Sequence, residues 1–181
     1  ELSDKMLAYS GKGEKSLQNV DLKGLLRSME RFLGSAISTH AELVMHLCED
    51  PAWLVGDASQ LQQVILNLVM NASEAVEGPG AKISLCLGRM EMDRSELAAT
   101  YVNDDLRTGS YVRLSVSDNG CGMNEETVSR AFDPFFTTKF TGRGLGLASV
   151  LGIVRGHGGA VSLESTPGEG STVTILLPEA T

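Results

Sequence analysis

The segment Asp118–Met123, which reads Asp-Asn-Gly-Cys-Gly-Met, constrains this chain more than any other. It directly follows a run in which Val112, Leu114 and Val116 alternate with polar residues, a pattern that predicts a half-buried strand. A carboxylate therefore stands at the end of a strand, beside two glycines that let another group approach the backbone closely. Such a carboxylate can accept a hydrogen bond from an exocyclic amine. An ordinary tight turn has the same pattern, so its meaning depends on the rest of the chain.

Composition narrows the classes of protein. A length of 181 residues with 42% hydrophobic content suits one domain with a real core and a short appendage. The net charge of −8 and the pI of about 4.9 argue against a nucleic-acid partner. No apolar run reaches the length of a membrane span, and no signal peptide opens the chain, so we expect no direct membrane insertion.

The cysteines show no metal-binding spacing. Cys48 and Cys86 lie in apolar runs and are predicted to be in the core, whereas Cys121 lies in the glycine turn and is predicted to be exposed. An odd number of cysteines without a disulfide framework suits a reducing cytoplasm, which is where we expect this chain to be.

Local signals predict a mixed order of helices and strands. Asp21 is predicted to cap a helix that begins at Leu22, and Asp57-Ala58-Ser59-Gln60 resembles a capping box that opens a helix to about Glu77. This order predicts an α/β or α+β fold with helices on one face of a sheet. The other predicted elements are strands around Ile37 and over Leu43–Cys48, Ile83–Leu87, Val112–Val116, Val161–Glu164 and Thr172–Leu177, a short helix near Glu125–Ala131, a helix that follows Gly142–Leu147 and stops at Gly158-Gly159, and a polar loop or hairpin over residues 88–110.

One face of the helix after Asp57 is polar. Gln63, Asn67, Asn71 and Glu74 recur about one turn apart, so their side chains project the same way. An amide oxygen is a hard, neutral ligand that suits Mg²⁺, an ion that usually keeps waters and shares phosphate oxygens. Asn67 and Asn71 are therefore candidate ligands, and a solvated surface stripe is the alternative.

The glycine-rich run Gly142–Leu147 opens the next long helix. Free N–H groups and a partial positive charge at a helix start favour phosphate, and Lys139 and Arg143 could meet its charge. The run is neither a Walker loop nor a dinucleotide fingerprint, and the protein-kinase signatures are also missing. A packing turn flanked by solvated cations is the alternative. Phe132, Phe135 and Phe136 predict either an aromatic latch for a mobile loop or a small cluster under that loop.

Taken together, these segments resemble the catalytic, ATP-binding domain of sensor histidine kinases. Asn67–Ala75 is similar to the N box of that family, Asp118–Met123 to the first glycine box, Phe132–Lys139 to the F box, Gly142–Leu147 to the second glycine box and Gly168–Pro178 to the closing strand. The resemblance covers about residues 20–178. It implies a Bergerat-type two-layer α/β (α+β) sandwich, with a mixed, mostly antiparallel sheet and helices on one face.

The resemblance also implies ATP and Mg²⁺ as ligands. Asp118 would accept a hydrogen bond from the adenine amino group, with Ser171 nearby through water, and Gly122 would let adenine pack closely. Asn71 would bind Mg²⁺, and Asn67 would lie next to the reacting phosphate. Glu74 cannot contact phosphates, which leaves Lys139 and Arg143 for that role. The nucleotide-binding residues that the resemblance implies are Asn67, Asn71, Asp118, Gly120, Gly122, Lys139, Gly142, Arg143, Gly144, Leu145, Gly146, Leu147 and Ser171, with Asn67 and Lys139 catalytic and Asn71 the metal ligand.

Residues 1–17 are similar to the end of the family's dimerisation hairpin and its linker, and residues 18–181 to the catalytic domain. The family carries its phosphoacceptor histidine earlier in that hairpin, before an acidic residue. His40, His46 and His157 do not fit that context, so we expect them to be structural or surface residues. The resemblance implies a homodimeric parent, either membrane-anchored or not, whose hairpin accepts the phosphoryl group and passes it to the receiver domain of a response regulator.

Two rival functions are open. An ATP-gated conformational ATPase, of the chaperone or mismatch-repair type, has a glutamate where this chain has Asn67, and an amide cannot act as a general base. A degenerate domain that only senses nucleotide or docks partners would not need Asn71, Asp118 and both glycine boxes.

Overall fold

The structure is a computed structural model that describes residues 17–98, 100, 106–138 and 142–180. Lys139 and the predicted hairpin segment, apart from Leu17, lie outside these residues. Within the described ranges, no helix is both long and apolar enough to cross a membrane.

The helices start where the sequence signals predict. Asp21 accepts a hydrogen bond from the N–H of Lys23 (3.1 Å), and Asp57 accepts from the N–H groups of Ser59 (2.9 Å) and Gln60 (3.2 Å). Each carboxylate thus satisfies donors that the first turn of a helix leaves without a partner. The described helices are α1 (Leu22–Ala36), α2 (Ala58–Ala75), α3 (Arg94–Ala98), α4 (Glu125–Arg130) and α5 (Gly146–Gly156).

The strands form a five-stranded sheet and a two-stranded one. The larger sheet has the order β2-β4-β5-β7-β6, in which β2 and β4 are parallel and the other neighbours are antiparallel; β1 and β3 pair separately. The predicted mixed, mostly antiparallel sheet is therefore confirmed. The strands are β1 (Gln18–Asp21), β2 (Ala41–Leu47), β3 (Trp53–Gly56), β4 (Ala81–Met92), β5 (Gly109–Asp118), β6 (Ala160–Thr166) and β7 (Gly170–Pro178).

The main core lies between the helices and one face of the large sheet. Leu26 and Leu33 of α1, Ile65 of α2, Leu114 of β5 and Ile175 of β7 are all buried there. Full burial of one such side chain contributes about 1.5–3 kcal/mol, so this layer stabilises the sandwich. The predicted two-layer architecture is confirmed.

A second, smaller cluster covers one end of the sheet's outer face. Residues 88–110 were predicted as a loop or hairpin, and a hairpin is confirmed: β4 continues to Met92, β5 begins at Gly109 and pairs antiparallel with it, and α3 lies between the two strands. The Tyr111 hydroxyl donates to the carbonyl of Arg107 (2.7 Å), and burial raises the pKa of the Tyr111 phenol. The buried members of this cluster are Met92, Leu97, Tyr111, Ala160 and Leu176.

Two predictions from the sequence are wrong. Ile37 ends α1 as its C-cap, with its N–H bonded to the carbonyl of Leu33 (3.2 Å), so it does not form a strand. Its apolar side chain extends the helix face one turn beyond Leu33, which is why it packs with the core. Cys86, predicted in the core, is half-buried on the outer face opposite Ser115, whereas Cys48 packs against the core's edge and Cys121 is exposed.

Candidate functional site

Asp118 faces the helical layer. In β5 the inward positions are Val112, Leu114 and Val116, and Asp118 continues that alternation because successive side chains point to opposite faces. Its cross-strand neighbours are Ile83 of β4, which is buried in the main core, and Ser171 of β7. The sheet therefore ends, on its inner face, in a carboxylate beside a hydroxyl.

The glycines after Asp118 are required by the protein's own backbone. A Cβ at Gly120 would lie 2.2 Å from the carbonyl oxygen of Ala75, and a Cβ at Gly122 would lie 1.9 Å from that of Thr166. Gly122 also has a φ of 63°, which disfavours other residues. The segment is thus held between the end of α2 and the β6–β7 turn, which fixes where the Asp118 carboxylate points.

Asn119 holds the other side of this turn. Its Oδ1 accepts from the N–H of Lys82 (2.7 Å), and its Nδ2 donates to the carbonyl of Gly80 (2.9 Å). Gly120 donates its N–H to Asp118 Oδ1 (2.9 Å). These bonds lock the strand end before any ligand arrives, so the carboxylate is preorganised.

Ser165 joins the site through the β6–β7 hairpin. It lies directly opposite Ser171, and the two hydroxyl oxygens are 2.9 Å apart. The sequence analysis missed Ser165. A signal was available, because Ser165 and Ser171 stand equally far from Gly168 at the centre of a predicted turn.

The polar stripe of α2 packs along α5, and the two helices run antiparallel. Gln63 Nε2 donates to Ser149 Oγ (3.2 Å), and two turns later a Cβ on Gly146 would lie 3.4 Å from Asn71 Nδ2. Asn67 lies between these contacts on the same helix face and is half-buried. The stripe is therefore more than a solvated surface: its Asn71 end meets the start of α5.

The helix start beside Asn71 exposes backbone N–H groups. The N-cap residue of α5 is Leu145, whose side chain cannot accept a hydrogen bond. Just before it, Gly144 has a φ of 64° and packs so tightly on Phe135 that a Cβ would lie 2.4 Å from the Phe135 carbonyl carbon. Phe135 donates its N–H to the carbonyl of Gly144 (2.8 Å). This junction holds the loop that leads into α5.

The aromatic segment divides among three environments. Phe132 is buried in the main core, the Arg130 guanidinium stacks 4.4 Å from the centre of the Phe136 ring, and Phe135 is 72% exposed with a φ of 67°. A core anchor is thus followed by a surface segment.

The structure brings most of the predicted site residues into two groups on either side of the end of α2. Asp118, Gly120, Gly122 and Ser171 lie at the end of the sheet, where Gly120 packs against Ala75, while Asn71, one turn earlier in α2, meets Gly146 at the start of α5. Gly142 and Arg143 are exposed beside the start of α5, Leu147 packs at the edge of the core, and Lys139 is outside the described residues. Glu74 is exposed.

His157, predicted to be a structural or surface residue, has a structural role whose partners were not predicted from the sequence. Its Nε2 accepts from the N–H of Asp57 (3.0 Å), and its Nδ1 lies 2.8 Å from the carbonyl oxygen of Ile153. A carbonyl only accepts and an amide N–H only donates, so the ring carries its proton on Nδ1. His157 thus joins the end of α5 to the start of α2, where the reciprocal half of the predicted capping box would have been. His40 and His46 are exposed.

Comparison with curated proteins returns sensor kinases. The signal transduction histidine-protein kinase AtoS of Escherichia coli is 31% identical over 174 residues, which is 96% of this chain and 26% of AtoS. The sensor histidine kinase ZraS of the same species is 34% identical over 164 residues, which is 90% of this chain and 31% of ZraS. The chain therefore spans only about a quarter to a third of these relatives.

Solved structures have the same fold. The mycobacterial sensor histidine kinase MprB aligns with a TM-score of 0.68 at 26% identity, covering 90% of this chain and 97% of that one. Full-length ShkA, solved in complex with AMPPNP, aligns with a TM-score of 0.75 at 27% identity, covering 99% of this chain and 35% of ShkA. Residues 56–181 match the family described as histidine kinase-, DNA gyrase B- and HSP90-like ATPase. This chain belongs to that ATPase family and has the Bergerat fold of a histidine kinase catalytic domain.

Proposed function

We propose that this chain is the ATP-binding catalytic domain of a sensor histidine kinase, which donates the γ-phosphoryl group of ATP to a histidine on the dimerisation hairpin of its parent. The observation that carries the proposal is the antiparallel pairing of α2 with α5, which sets Asn71 against Gly146 at an open helix start. In this proposal adenine binds at the Asp118 carboxylate and the phosphates bind at the start of α5, with the end of α2 between them.

The nucleotide would lie with adenine at the sheet end. Asp118 accepts a hydrogen bond from the adenine amino group, and Ser171 lies beside it in the sheet ladder. Such a bond to a charged acceptor contributes about 1.5–3 kcal/mol. The triphosphate would reach the N–H groups at the start of α5, where the helix dipole favours negative charge. Arg143, exposed next to this start, supports the same end, and Lys139 is proposed there on sequence position alone.

The residues fit a Mg²⁺ ion that arrives with the nucleotide. Asn71 offers a hard, neutral amide oxygen, and its amide lies against Gly146. The ion would be held by Asn71 together with phosphate oxygens. When bound, it supplies neutralisation of phosphate charge.

Asn67 supports phosphoryl donation over hydrolysis. It lies one helical turn before Asn71 on the same face, where it would meet the terminal phosphate. An amide cannot remove a proton from water. Phosphoryl transfer needs positioning more than proton chemistry, and the tight backbone contacts that hold the glycine turn and the start of α5 would supply positioning. A histidine nitrogen then attacks the γ-phosphorus, the bond to the bridging oxygen breaks, and ADP leaves.

The remaining parts of the proposal concern the parent protein. Residues 1–17 would be the end of its hairpin and linker, and residues 18–181 the catalytic domain. The acceptors would be the hairpin histidine and then the receiver domain of a response regulator, within a homodimer whose catalytic domain works in the cytoplasm.

The test supplies the acceptor as a separate fragment. The chain is mixed with γ-labelled ATP, Mg²⁺ and the parent's hairpin, and acid-labile, base-stable label should appear on the hairpin. A hairpin whose acceptor histidine is replaced by glutamine is the control and should stay unlabelled. Rapid release of labelled phosphate with an unlabelled hairpin would support the ATPase function instead.

A further inference from the structure

We propose that Ser165 is a specificity-determining residue of the nucleotide site. It accepts the hydrogen of the Ser171 hydroxyl, so that Ser171 can only accept a hydrogen bond from a ligand. Asp118 and Ser171, which together form the wall of the site, therefore select the amino group of adenine and reject the carbonyl oxygen of guanine. This inference rests on the proposed binding of ATP with adenine at Asp118.

The geometry begins with a single row across the sheet. Asp118, Ser171 and Ser165 are consecutive cross-strand neighbours on β5, β7 and β6. Residues directly opposite each other share a face, so all three side chains are on the side of the helices. Their row continues to Ile83, which is buried under those helices. All three polar residues are half-buried, so none of them is sealed inside the core.

Ser165 makes three polar contacts. It accepts from the N–H of Met123 (2.8 Å), donates to the carbonyl of Gly170 (3.0 Å), and lies 2.9 Å from the Ser171 hydroxyl oxygen. Met123 ends the glycine turn that follows Asp118. One hydroxyl therefore connects the turn, the β6–β7 hairpin and the wall of the site.

Counting hydrogens fixes the direction of the last contact. A serine hydroxyl has one hydrogen to donate and can accept two. The Met123 N–H can only donate and the Gly170 carbonyl can only accept. Ser165 therefore donates its hydrogen to Gly170 and uses one of its two lone pairs to accept from Met123. When all three contacts are made at once, the Ser171 hydrogen points at Ser165. Ser171 then offers only lone pairs to a ligand.

Two acceptors side by side give the wall its selectivity. An ionised Asp118 also only accepts. Adenine carries a donating amino group at position 6, which matches both acceptors directly or through one water. Guanine carries a carbonyl oxygen at that position, which would face lone pairs with no hydrogen between them. A buried mismatch of this kind costs more than a good contact gains.

The experiment measures ATP and GTP affinities by calorimetry in Ser165→Ala. Loss of Ser165 releases the Ser171 hydrogen, which can then turn toward a carbonyl oxygen. The preference for ATP over GTP should fall by about three- to tenfold, as expected for one neutral hydrogen bond. Ser165→Thr keeps the hydroxyl and should keep the preference.

The matched control uses the sheet's other hydroxyl pair. Thr172 Oγ1 donates to Ser117 Oγ (2.8 Å), also between β5 and β7, but these residues alternate with Ser171 and Asp118 and lie on the outer face. Ser117→Ala should leave the ATP preference unchanged. An equal fall in Ser117→Ala and Ser165→Ala would show a general effect of sheet stability and overturn the inference.

A second measurement needs no substitution, so it can overturn the inference even if Ser165→Ala fails to fold. The unmodified chain is titrated with ATP, with purine riboside triphosphate, which lacks a group at position 6, and with inosine triphosphate, which has a carbonyl there. We expect affinity to fall in that order. Inosine triphosphate binding as tightly as ATP would overturn the inference, whereas no binding of ATP at all would instead overturn the proposed function.

Discussion

Asp118 shows how much of a binding site one residue's position can determine. It follows three inward apolar residues on β5, so strand alternation alone sends its carboxylate to the helical face. The N–H of Gly120 and the two bonds of Asn119 then hold the strand end in place. Because the chain fixes this carboxylate before a ligand binds, little conformational entropy is lost on binding.

We expect Asp118→Asn to weaken ATP binding. The substitution replaces one acceptor oxygen by an NH₂ that faces the adenine amino group, and losing a charge-assisted bond should cost about 1.5–3 kcal/mol, or tenfold or more in affinity. Calorimetry measures the effect, and circular dichroism confirms folding. Asp93→Asn, at the cap of α3, is the matched control. Unchanged affinity in a folded Asp118→Asn would contradict the adenine assignment.

Asn71 is expected to act through the metal. Asn71→Ala should strongly reduce Mg²⁺-dependent binding of ATP and leave metal-free binding of ADP close to that of the unmodified chain, because only the former uses the amide oxygen. Gln63→Ala removes a side chain from the same helix face two turns earlier and serves as the control. If Asn71→Ala reduces both kinds of binding equally, Asn71 has a packing role.

At the scale of elements, α2 and α5 work as one antiparallel unit. Asn71 meets Gly146 at one end, Gln63 meets Ser149 in the middle, and Asp57 meets His157 at the other end. The last contact is long-range in sequence and joins two helix termini. It sets how far the helices slide along each other, and hence where the Asn71 amide stands relative to the start of α5.

His157→Phe tests this joint. The ring is retained, but the N–H of Asp57 loses the acceptor at Nε2, which should lower the free energy of unfolding by about 1–3 kcal/mol. Urea denaturation measures the change. His46→Phe, exposed on β2, is the control and should stay within about 0.5 kcal/mol of the parent chain. Equal losses in the two variants would mean that the joint does not contribute.

The elements also show what sequence can and cannot predict. Caps at Asp21 and Asp57 are local signals, so α1 and α2 were predicted with their starts. The end of β4 was missed because its apolar residues change face: Leu85 and Leu87 point inward, whereas Met90 and Met92 join the cluster on the outer face. The side chains still alternate between the two faces, but the apolar residues move from inward to outward positions, so the apolar pattern in the sequence breaks at that point.

The site shows the same limit. Asp118 and Asn71 stand in recognisable local motifs, whereas Ser165 and His157 gain their roles only from hairpin register and from helix packing. Such roles depend on residues that are distant in sequence, and no local spacing specifies them fully.

For the molecule as a whole, the candidate site combines segments from distant parts of the chain. The glycine turn contacts Ala75 on one side and Thr166 and Gly168 on the other, through backbone atoms. The sandwich therefore has to fold as a unit before the site exists. Among the described residues, His40 and His46 are exposed and His157 is engaged in the helix joint.

We expect the chain on its own to bind ATP but to acquire no acid-labile phosphohistidine on His40, His46 or His157. His40 and His46 are exposed and lack the acidic neighbour that follows the family's acceptor histidine, and both ring nitrogens of His157 are engaged. Hydrolysis should also be slow, because Asn67 provides no base for water. Incubation with γ-labelled ATP, followed by acid and base treatment, measures both. Strong labelling of the isolated chain would contradict the assignment of these histidines.

The helix joint sets a rule for changes in chain length. A residue gained or lost inside α2, between Asp57 and Asn71, would turn everything beyond it by about 100° and shift it by about 1.5 Å. The two ends of the helix could then no longer meet His157 and Gly146 together. Natural insertions and deletions should therefore avoid both helices and gather in the stretch between β4 and β5, whose described contacts lead to the outer cluster.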